Sequence, residues 1–308
     1  MRVVTQDTFG GPDKLHIAER SVPEPGEGEM LVRVAAAGIN PVDLAVRAGA
    51  FPLIGDPPFI LGWDIAGTVE KTGPGVTDFS PGVRVMGLSG FPEQAGAYGE
   101  YACVSADEFV RTPENMPDVE AAGMPLAGLT GWQAFFDEAD LKANDRVLVH
   151  AGAGGVGHLA IQIAKAFGAH VTTTVSAAKT DYARSIGADE VIDYRATDFA
   201  EATGDFDIVL ETVAGDQLLN SLGTLKPGGT VVSLRKAGED AERMAAEKGV
   251  RLKSILVHPD AVALQKLATL VAEHEIRVHV ARTFPMEQAG DAHRFLETGP
   301  IGKVVLVN

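Results

Sequence analysis

Gly152, Gly154 and Gly157 stand in the order G-x-G-x-x-G. Before them Val147, Leu148 and Val149 form an uninterrupted apolar run, the pattern of a parallel strand buried on both faces. After them Val156, Leu159, Ala160, Ile163, Ala164 and Phe167 recur at helical spacing and make one apolar stripe. In that strand–turn–helix setting the first glycine allows a tight turn and the second lets the backbone come close to a pyrophosphate. The third lets the helix pack on its strand, and the helix N-terminus offers free N–H groups and partial positive charge. No Gly-Lys-Ser/Thr follows, so the phosphate loop of nucleotide triphosphatases does not apply. The stretch reads as a dinucleotide site.

The next strand, His170 to Val175, decides which dinucleotide. An NAD-selective fold ends it on an Asp or Glu that binds the ribose 2′-hydroxyl. Here Ser176-Ala-Ala-Lys179 follows instead. A serine can hydrogen-bond a 2′-phosphate and a lysine can neutralise it, where a carboxylate would repel it. The expected coenzyme is NADPH.

These residues need a frame. Six strand-like runs alternate with helical segments: 147–150, 170–175, 190–194, 206–212, 229–234 and 251–257. That alternation predicts a doubly wound parallel sheet. The first 122 residues differ, with short strands and turns at Pro23–Gly26, Gly73–Gly75 and Ser80–Gly82, as in a compact barrel. A helix over Leu126–Phe136 is expected to cross between the two parts, and one over Ala261–Ala272 to close the nucleotide domain. The segment from about 276, with Lys303–Val307 as a strand, is expected to return to the first part. The cleft between domains is the default place for chemistry.

Composition narrows the function. A formal charge of −16 over 308 residues, with no basic cluster, argues against a nucleic-acid backbone as partner. The lone cysteine, Cys103, makes no internal disulfide and no thiolate cluster for zinc, which suits a reducing cytoplasm. No apolar run is long enough to span a bilayer.

With these landmarks the chain resembles the medium-chain dehydrogenase/reductase superfamily, in its zinc-independent quinone oxidoreductase (zeta-crystallin-like) branch. The resemblance runs through Gly38-Ile-Asn-Pro-Val-Asp43, Arg47-x-Gly49, Gly62-x-Asp64-x-Ala-Gly67, Gly82-x-Arg-Val85, Ala97-Tyr-x-Glu-Tyr101, Leu129-Thr130, Ala151–Gly157 and Gly302-Lys303. It implies an α/β protein: a GroES-like partly open β-barrel over 1–122 and 276–308, and a doubly wound parallel-sheet Rossmann domain over 123–275. The alcohol dehydrogenases of this superfamily carry a Cys in the segment matching Gly38–Asp43 and Gly-His-Glu in that matching Gly62–Asp64. Here Asn40 and Gly62-Trp63-Asp64 stand there, so the usual thiolate and imidazole ligands of zinc are missing.

Carried over residue by residue, the resemblance places Gly154, Gly155 and Val156 against the pyrophosphate, and Ser176, Lys179 and Tyr194 around the 2′-phosphate. Asn40 and Thr130 are implied beside the nicotinamide ribose or the acceptor carbonyl. Val213, Leu234 and 255–257 are implied on the coenzyme's other flank, with Gly302 and Lys303 closing over the nicotinamide end. Phe51 and Trp63 are expected to shape the acceptor pocket. Asp43 and Arg47 are read as tying their loop rather than touching substrate. Tyrosines common in the family are replaced by Ala45 and Phe51, and Arg235 stands where glycine is frequent.

Without a metal or an evident general acid, such a site suits acceptors whose reduced form is already stabilised: quinones, enones and enals. Asn40 would donate to the acceptor oxygen and Thr130 would orient the coenzyme, with solvent supplying the final proton. Two other readings stay open: a non-catalytic NADPH-binding protein (sensor, crystallin-like or RNA-binding), and an enoyl-thioester reductase. The branch commonly dimerises along the last strand of the nucleotide domain, here 251–257.

Overall fold

The computed structural model describes residues 1–308 apart from Pro52, 94–95, Thr203 and 214–216, and the side chain of Ala202. The backbone divides into two units. One comprises Met1–Leu129, His258–His274 and Val278–Asn308; the other comprises Thr130–Val257 and Glu275–Arg277.

The first unit begins with strands β1 (Arg2–Gln6), β2 (His16–Glu19) and β3 (Glu29–Ile39), then helix α1 (Pro41–Arg47). Strands β4 (Phe59–Ile60), β5 (Asp64–Thr72), β6 (Arg84–Leu88), β7 (Tyr101–Ser105) and β8 (Phe109–Arg111) follow, with helices α2 (Asp118–Gly123) and α3 (Pro125–Gln133). A π-helical turn over Ala134–Glu138 continues α3, which straddles the 129/130 boundary.

The second unit then supplies β9 (Arg146–Val149), α4 (Gly157–Ala166), β10 (His170–Val175), α5 (Thr180–Ser185), β11 (Glu190–Asp193) and α6 (Phe199–Ala202). It continues through β12 (Phe206–Glu211), α7 (Gln217–Gly223), β13 (Leu225–Ser233), α8 (Glu239–Lys248) and β14 (Arg251–Ser254). The chain returns to the first unit with α9 (Ala261–Ala272), β15 (Val280–Pro285), α10 (Ala289–Glu297) and β16 (Lys303–Val307).

In the first unit β2-β1-β4 form a small antiparallel sheet. The larger sheet runs β15-β16-β3-β5-β6-β8, with β7 also paired to β3. Strand β3 is its spine: Met30, Val32, Val34 and Ile39 are buried, and it pairs antiparallel with β5, β7 and β16. This is the GroES-like domain.

The second unit is a parallel sheet in the order β11-β10-β9-β12-β13-β14. Counted from β9, that is the 3-2-1-4-5-6 order of a Rossmann sheet, whose strand ends at the β9 switch point face the ligand crevice. Leu148, Val209 and Val231 from the sheet pack with Leu222 of α7 and Ala241 and Ala245 of α8 on one face. Helix α4 buries Leu159, Ile161 and Ile163.

The boundaries differ from 122/123 and 275/276. Helix α9 belongs to the first unit, not to the nucleotide domain. The Asn115 side chain donates to the Val271 carbonyl at 3.3 Å, and Gly128 approaches Leu267 so closely that a Cβ there would lie 3.0 Å from its Cδ1. Asp260 starts the helix by accepting from the Ala263 N–H at 2.9 Å. An apolar helical stripe shows that a face is buried, not which neighbour buries it. The segment Glu275–Arg277 goes the other way: Gln162 of α4 accepts from the Arg277 N–H at 2.9 Å and donates to the Arg277 carbonyl at 3.0 Å.

Candidate active site

The glycine turn is built as its sequence requires. The chain leaves β9 through His150, and Ala151 adopts a left-handed backbone with φ of 50°. Gly152 is locked against β10 and α4, because a Cβ there would lie 2.0 Å from Thr173 Oγ1 and 2.7 Å from Ile161 Cδ1. A Cβ on Gly157 would lie 2.4 Å from the Ala151 carbonyl oxygen. At Gly154 the nearest atom to such a Cβ is the Ala151 oxygen at 3.2 Å, so this position is open on its other side. His158, fully buried in the first turn of α4, pins the loop by donating from Nδ1 to the Gly154 carbonyl at 2.9 Å. The sequence reading missed His158; its place directly after Gly157 was the available signal. In the first turn of α4 the His158, Leu159 and Ala160 N–H groups donate to the Gly154 and Val156 carbonyls; the open side of Gly154, at the positive end of the helix, fits a pyrophosphate.

Ser176 and Tyr194 follow adjacent strand ends. Val175 is in register with Asp193, and the Tyr194 N–H donates to the Val175 carbonyl at 3.2 Å. Lys179 lies one 3-10 turn beyond, its N–H on the Ser176 carbonyl at 2.8 Å. Tyr194 is 51% exposed, with the Arg195 guanidinium 5.7 Å from its ring centre. Arg195 is thus a further cation at this edge that the sequence reading did not select. Val213 and Leu234 meet around Glu211: the Val213 N–H donates to Glu211 Oε1 at 2.8 Å and the Leu234 N–H to its carbonyl at 3.1 Å. Thr130 lies buried on α3. Arg235 is exposed, and its N–H donates to Ser233 Oγ at 3.2 Å.

In the GroES-like unit Asn40, Asp64 and Lys303 converge, 2%, 0% and 2% exposed. The Lys303 ammonium donates to Asn40 Oδ1 and, at 3.2 Å, to Asp64 Oδ2. Asn40 Nδ2 donates to the same Asp64 oxygen at 2.9 Å, while Asp64 Oδ1 accepts the Leu126 N–H at 2.6 Å. Gly302 makes this possible: its φ of 73° turns the chain, and a Cβ would lie 2.2 Å from the His279 carbonyl oxygen. The expected closure of Lys303 over the nicotinamide gives way here to a buried ion pair inside its own unit. A catalytic zinc does not fit. Asn40 and Trp63 offer neither thiolate nor imidazole, and a protein cation already occupies the Asn40 and Asp64 oxygens.

Trp63 also corrects an expectation. At 1% exposed it is a core residue, its ring edge-on to Phe91 with centroids 5.2 Å apart and its N–H donated to the Glu93 carbonyl. Phe51 is 40% exposed.

Asp43 and Arg47 tie the loop and helix α1. Asp43 Oδ2 accepts the Asn40 N–H at 2.7 Å. Arg47 donates to the Gly10 carbonyl, to Glu297 Oε1 and to His293 Nδ1, at 3.2, 3.2 and 3.1 Å. Because Arg only donates, His293 carries its proton on Nε2 and gives it to the Tyr98 oxygen at 3.1 Å. Burial, with Arg47 alongside, pushes the His293 pKa down to about 3.

Burial pushes the Asp43 carboxyl up to about 7, Asp64 adding repulsion while the Asn40 and Gly62 N–H groups and Lys303 oppose it. A carboxyl whose folded value lies above its unfolded one costs stability progressively as pH climbs from the unfolded pKa toward 7, and no more beyond. Neutral buried histidines act with the opposite slope at lower pH, so the comparison must be with a variant. Relative to the parent chain, Asp43→Asn is expected to gain about 2 kcal/mol between pH 5 and pH 7. Urea midpoints at matched pH check this; a constant difference would show that Asp43 does not titrate there.

Two family models match the chain: an alcohol dehydrogenase GroES-like domain over residues 26–114 and a zinc-binding dehydrogenase over 186–306. A 2-haloacrylate reductase of Burkholderia sp is 33% identical, over 97% of this chain and 96% of that protein. The polyketide synthase GfsB of Streptomyces halstedii is 36% identical over 91% of this chain, which spans only 5% of the synthase. The solved quinone oxidoreductase of Coxiella burnetii is 36% identical with a TM-score of 0.95, over 100% of this chain and 99% of that one. The Escherichia coli quinone oxidoreductase solved in complex with NADPH is 30% identical with a TM-score of 0.90, over the whole of both chains.

Proposed function

The chain belongs to the zinc-independent quinone oxidoreductase branch of the medium-chain dehydrogenase/reductase superfamily, and from that premise we propose an NADPH-dependent oxidoreductase that passes hydride to a quinone or an activated C=C bond without a metal. The observation that carries this is the glycine turn at the β9 switch point, followed at the end of β10 by Ser176 and Lys179 in place of a carboxylate.

Bound NADPH supplies the hydride; the remaining work falls to the chain. Gly154, Gly155, Val156 and the first turn of α4 hold the pyrophosphate, Ser176, Lys179 and Tyr194 the 2′-phosphate, and Thr130 orients the coenzyme. Lys303 and Asp64 fix the Asn40 amide, which keeps one N–H beyond that given to Asp64. That hydrogen is the donor for charge developing on the acceptor oxygen. Phe51 offers the acceptor an apolar wall, and solvent provides the final proton.

The test is NADPH oxidation against a quinone, an enone and an enoyl thioester, with NADH in parallel. NADPH is expected to give at least tenfold higher kcat/KM. Lys179→Ala should narrow that ratio about tenfold, the effect of losing roughly 1.4 kcal/mol at a phosphate. Equal efficiency with both coenzymes, or a ratio unmoved by the substitution, would refute the assignment. The likeness to the solved CurK enoyl reductase, 26% identical with a TM-score of 0.90, favours an enoyl thioester as the second candidate acceptor. NADPH binding without turnover on any acceptor would point to a binding protein instead.

We extend the reading to a cytoplasmic homodimer. Among the described residues no strand pairs with the outer edge of β14, and Leu256 beyond it is 53% exposed. Such an edge calls for a partner, which sedimentation at micromolar concentration reads directly. No helix among the described residues is long and apolar enough to cross a membrane. Burial, with Glu29 and Glu24 adding repulsion, pushes the Cys103 thiol up to about 11, which disfavours its thiolate.

A further inference from the structure

Three polar side chains buried in the parallel-sheet unit take no part in the chemistry above: His150 beyond β9, Glu211 ending β12 and Ser221 on α7. Their protons can be assigned. The Gln217 amide nitrogen only donates and lies 3.3 Å from His150 Nδ1, so Nδ1 is an acceptor and also takes the Thr174 hydroxyl at 2.9 Å. His150 therefore donates from Nε2 to Ser221 Oγ at 3.1 Å, and the Ser221 hydroxyl donates to Glu211 Oε2 at 2.7 Å. Burial pushes the His150 pKa down to about 3 and raises that of Glu211, against the hydrogen bonds from Ser221 and Val213.

The residue types are those of a nucleophilic triad, but the donation runs in reverse. Ser221 gives its proton to the carboxylate and receives one from the imidazole, and it is fully buried, so it is no nucleophile. What the relay touches is more telling. At one end Thr174 Oγ1 accepts the N–H of Ala151, the left-handed residue before Gly152, at 3.3 Å. The Thr212 hydroxyl holds the His150 carbonyl at 2.8 Å. At the other end Glu211 holds Val213 through Oε1 and Leu234 through its carbonyl. A buried polar chain of this kind is costly unless every member is satisfied, and satisfied it fixes geometry sharply.

We propose that Glu211 is a positioning residue for the coenzyme, acting through Ser221 and His150 to hold the His150–Gly152 turn and the Val213 and Leu234 backbones in one frame. The proposal rests on the glycine turn being the coenzyme site. It assigns to the relay the register between the pyrophosphate-binding turn and the backbone on the coenzyme's other flank.

The experiment is direct NADPH titration of the full chain, read by coenzyme fluorescence, with steady-state kinetics alongside. Glu211→Ala should raise the NADPH Kd and KM about tenfold (~1.4 kcal/mol) while the acceptor KM holds and kcat stays within about twofold. Glu211→Gln keeps one carbonyl oxygen for the Val213 N–H and offers its amide to Ser221, which can turn its proton to the Gln217 carbonyl 2.9 Å away. It should bring the Kd back to within about threefold of the parent. A Glu211→Ala chain of lowered thermal midpoint that binds NADPH with parental Kd would overturn the proposal, since that is a purely structural role. So would a Gln variant as weak as Ala. Should Glu211→Ala fail to fold, Ser221→Ala decides by the same titration, with a several-fold rise expected and a parental Kd fatal. A parental chain that takes up no NADPH would overturn the functional reading itself and this proposal with it; normal parental binding confines any failure to Glu211.

Discussion

Gly154→Val should weaken NADPH binding about 100-fold, near 2.7 kcal/mol, while leaving the thermal midpoint of the protein almost where it was. The separation follows from what surrounds each glycine. A Cβ at Gly154 would meet one atom, the Ala151 oxygen at 3.2 Å, a contact relieved by a shift of a few tenths of an ångström; the open space beyond it is the space a pyrophosphate needs. Gly152→Ala is the contrasting case. Its methyl would press on Thr173 Oγ1 and Ile161 Cδ1, and overpacking of this kind costs about 1–3 kcal/mol of stability in addition to binding. Fluorescence titration beside a thermal melt checks both. A Gly154→Val chain that binds NADPH normally would remove the turn from the coenzyme site.

Lys303→Met should lower stability by about 3–5 kcal/mol, because it strands the Asp64 carboxylate, fully buried, without its cation. Adding Asp64→Asn to it should restore a large part of the loss, since a neutral amide still accepts the Leu126 N–H and no charge remains uncompensated. Urea unfolding of the two single variants and the double variant closes the cycle. Coenzyme affinity read on the same proteins separates two roles for this lysine. An ammonium spent on Asn40 and Asp64 predicts a large stability change; one that closes over the nicotinamide predicts a binding change with the fold intact.

Sequence legibility followed the distance over which each feature is encoded. The glycine turn, its strand and its helix lie within about twenty consecutive residues, and local patterning is sufficient there. The strand end at Ser176 was equally legible, because the absence of a carboxylate is a local fact. The Asn40–Asp64–Lys303 cluster was not: its members are separated by 24 and 239 positions, and only the pairing of β3 with β5 and β16 brings them together. Trp63 read as a pocket residue because a large aromatic beside a motif looks available, whereas Phe91 and the Glu93 carbonyl enclose it. His150, Glu211 and Ser221 lie in three separate segments, and nothing in the local pattern of any one of them says that they share one hydrogen-bonded chain.

The larger sheet has a consequence for biosynthesis. Strand β16 lies between β15 and β3, and Asn308 beyond it caps the Val34 and Gly99 carbonyls, each at 2.9 Å. On the ribosome the GroES-like unit is therefore begun before the parallel-sheet unit and completed after it: the 36–39 stretch of its central strand must wait without its β16 partner until residues 303–308 emerge, while 29–33 pairs with β7. The parallel-sheet unit has its whole sequence once Arg277 has been made. Domains tend to fold as units in order of synthesis, so the inserted unit folds ahead of the one that surrounds it in sequence. A nascent chain from which residues up to Arg277 but not Lys303 have left the ribosome would hold the whole parallel-sheet unit yet lack the lysine that neutralises Asp64.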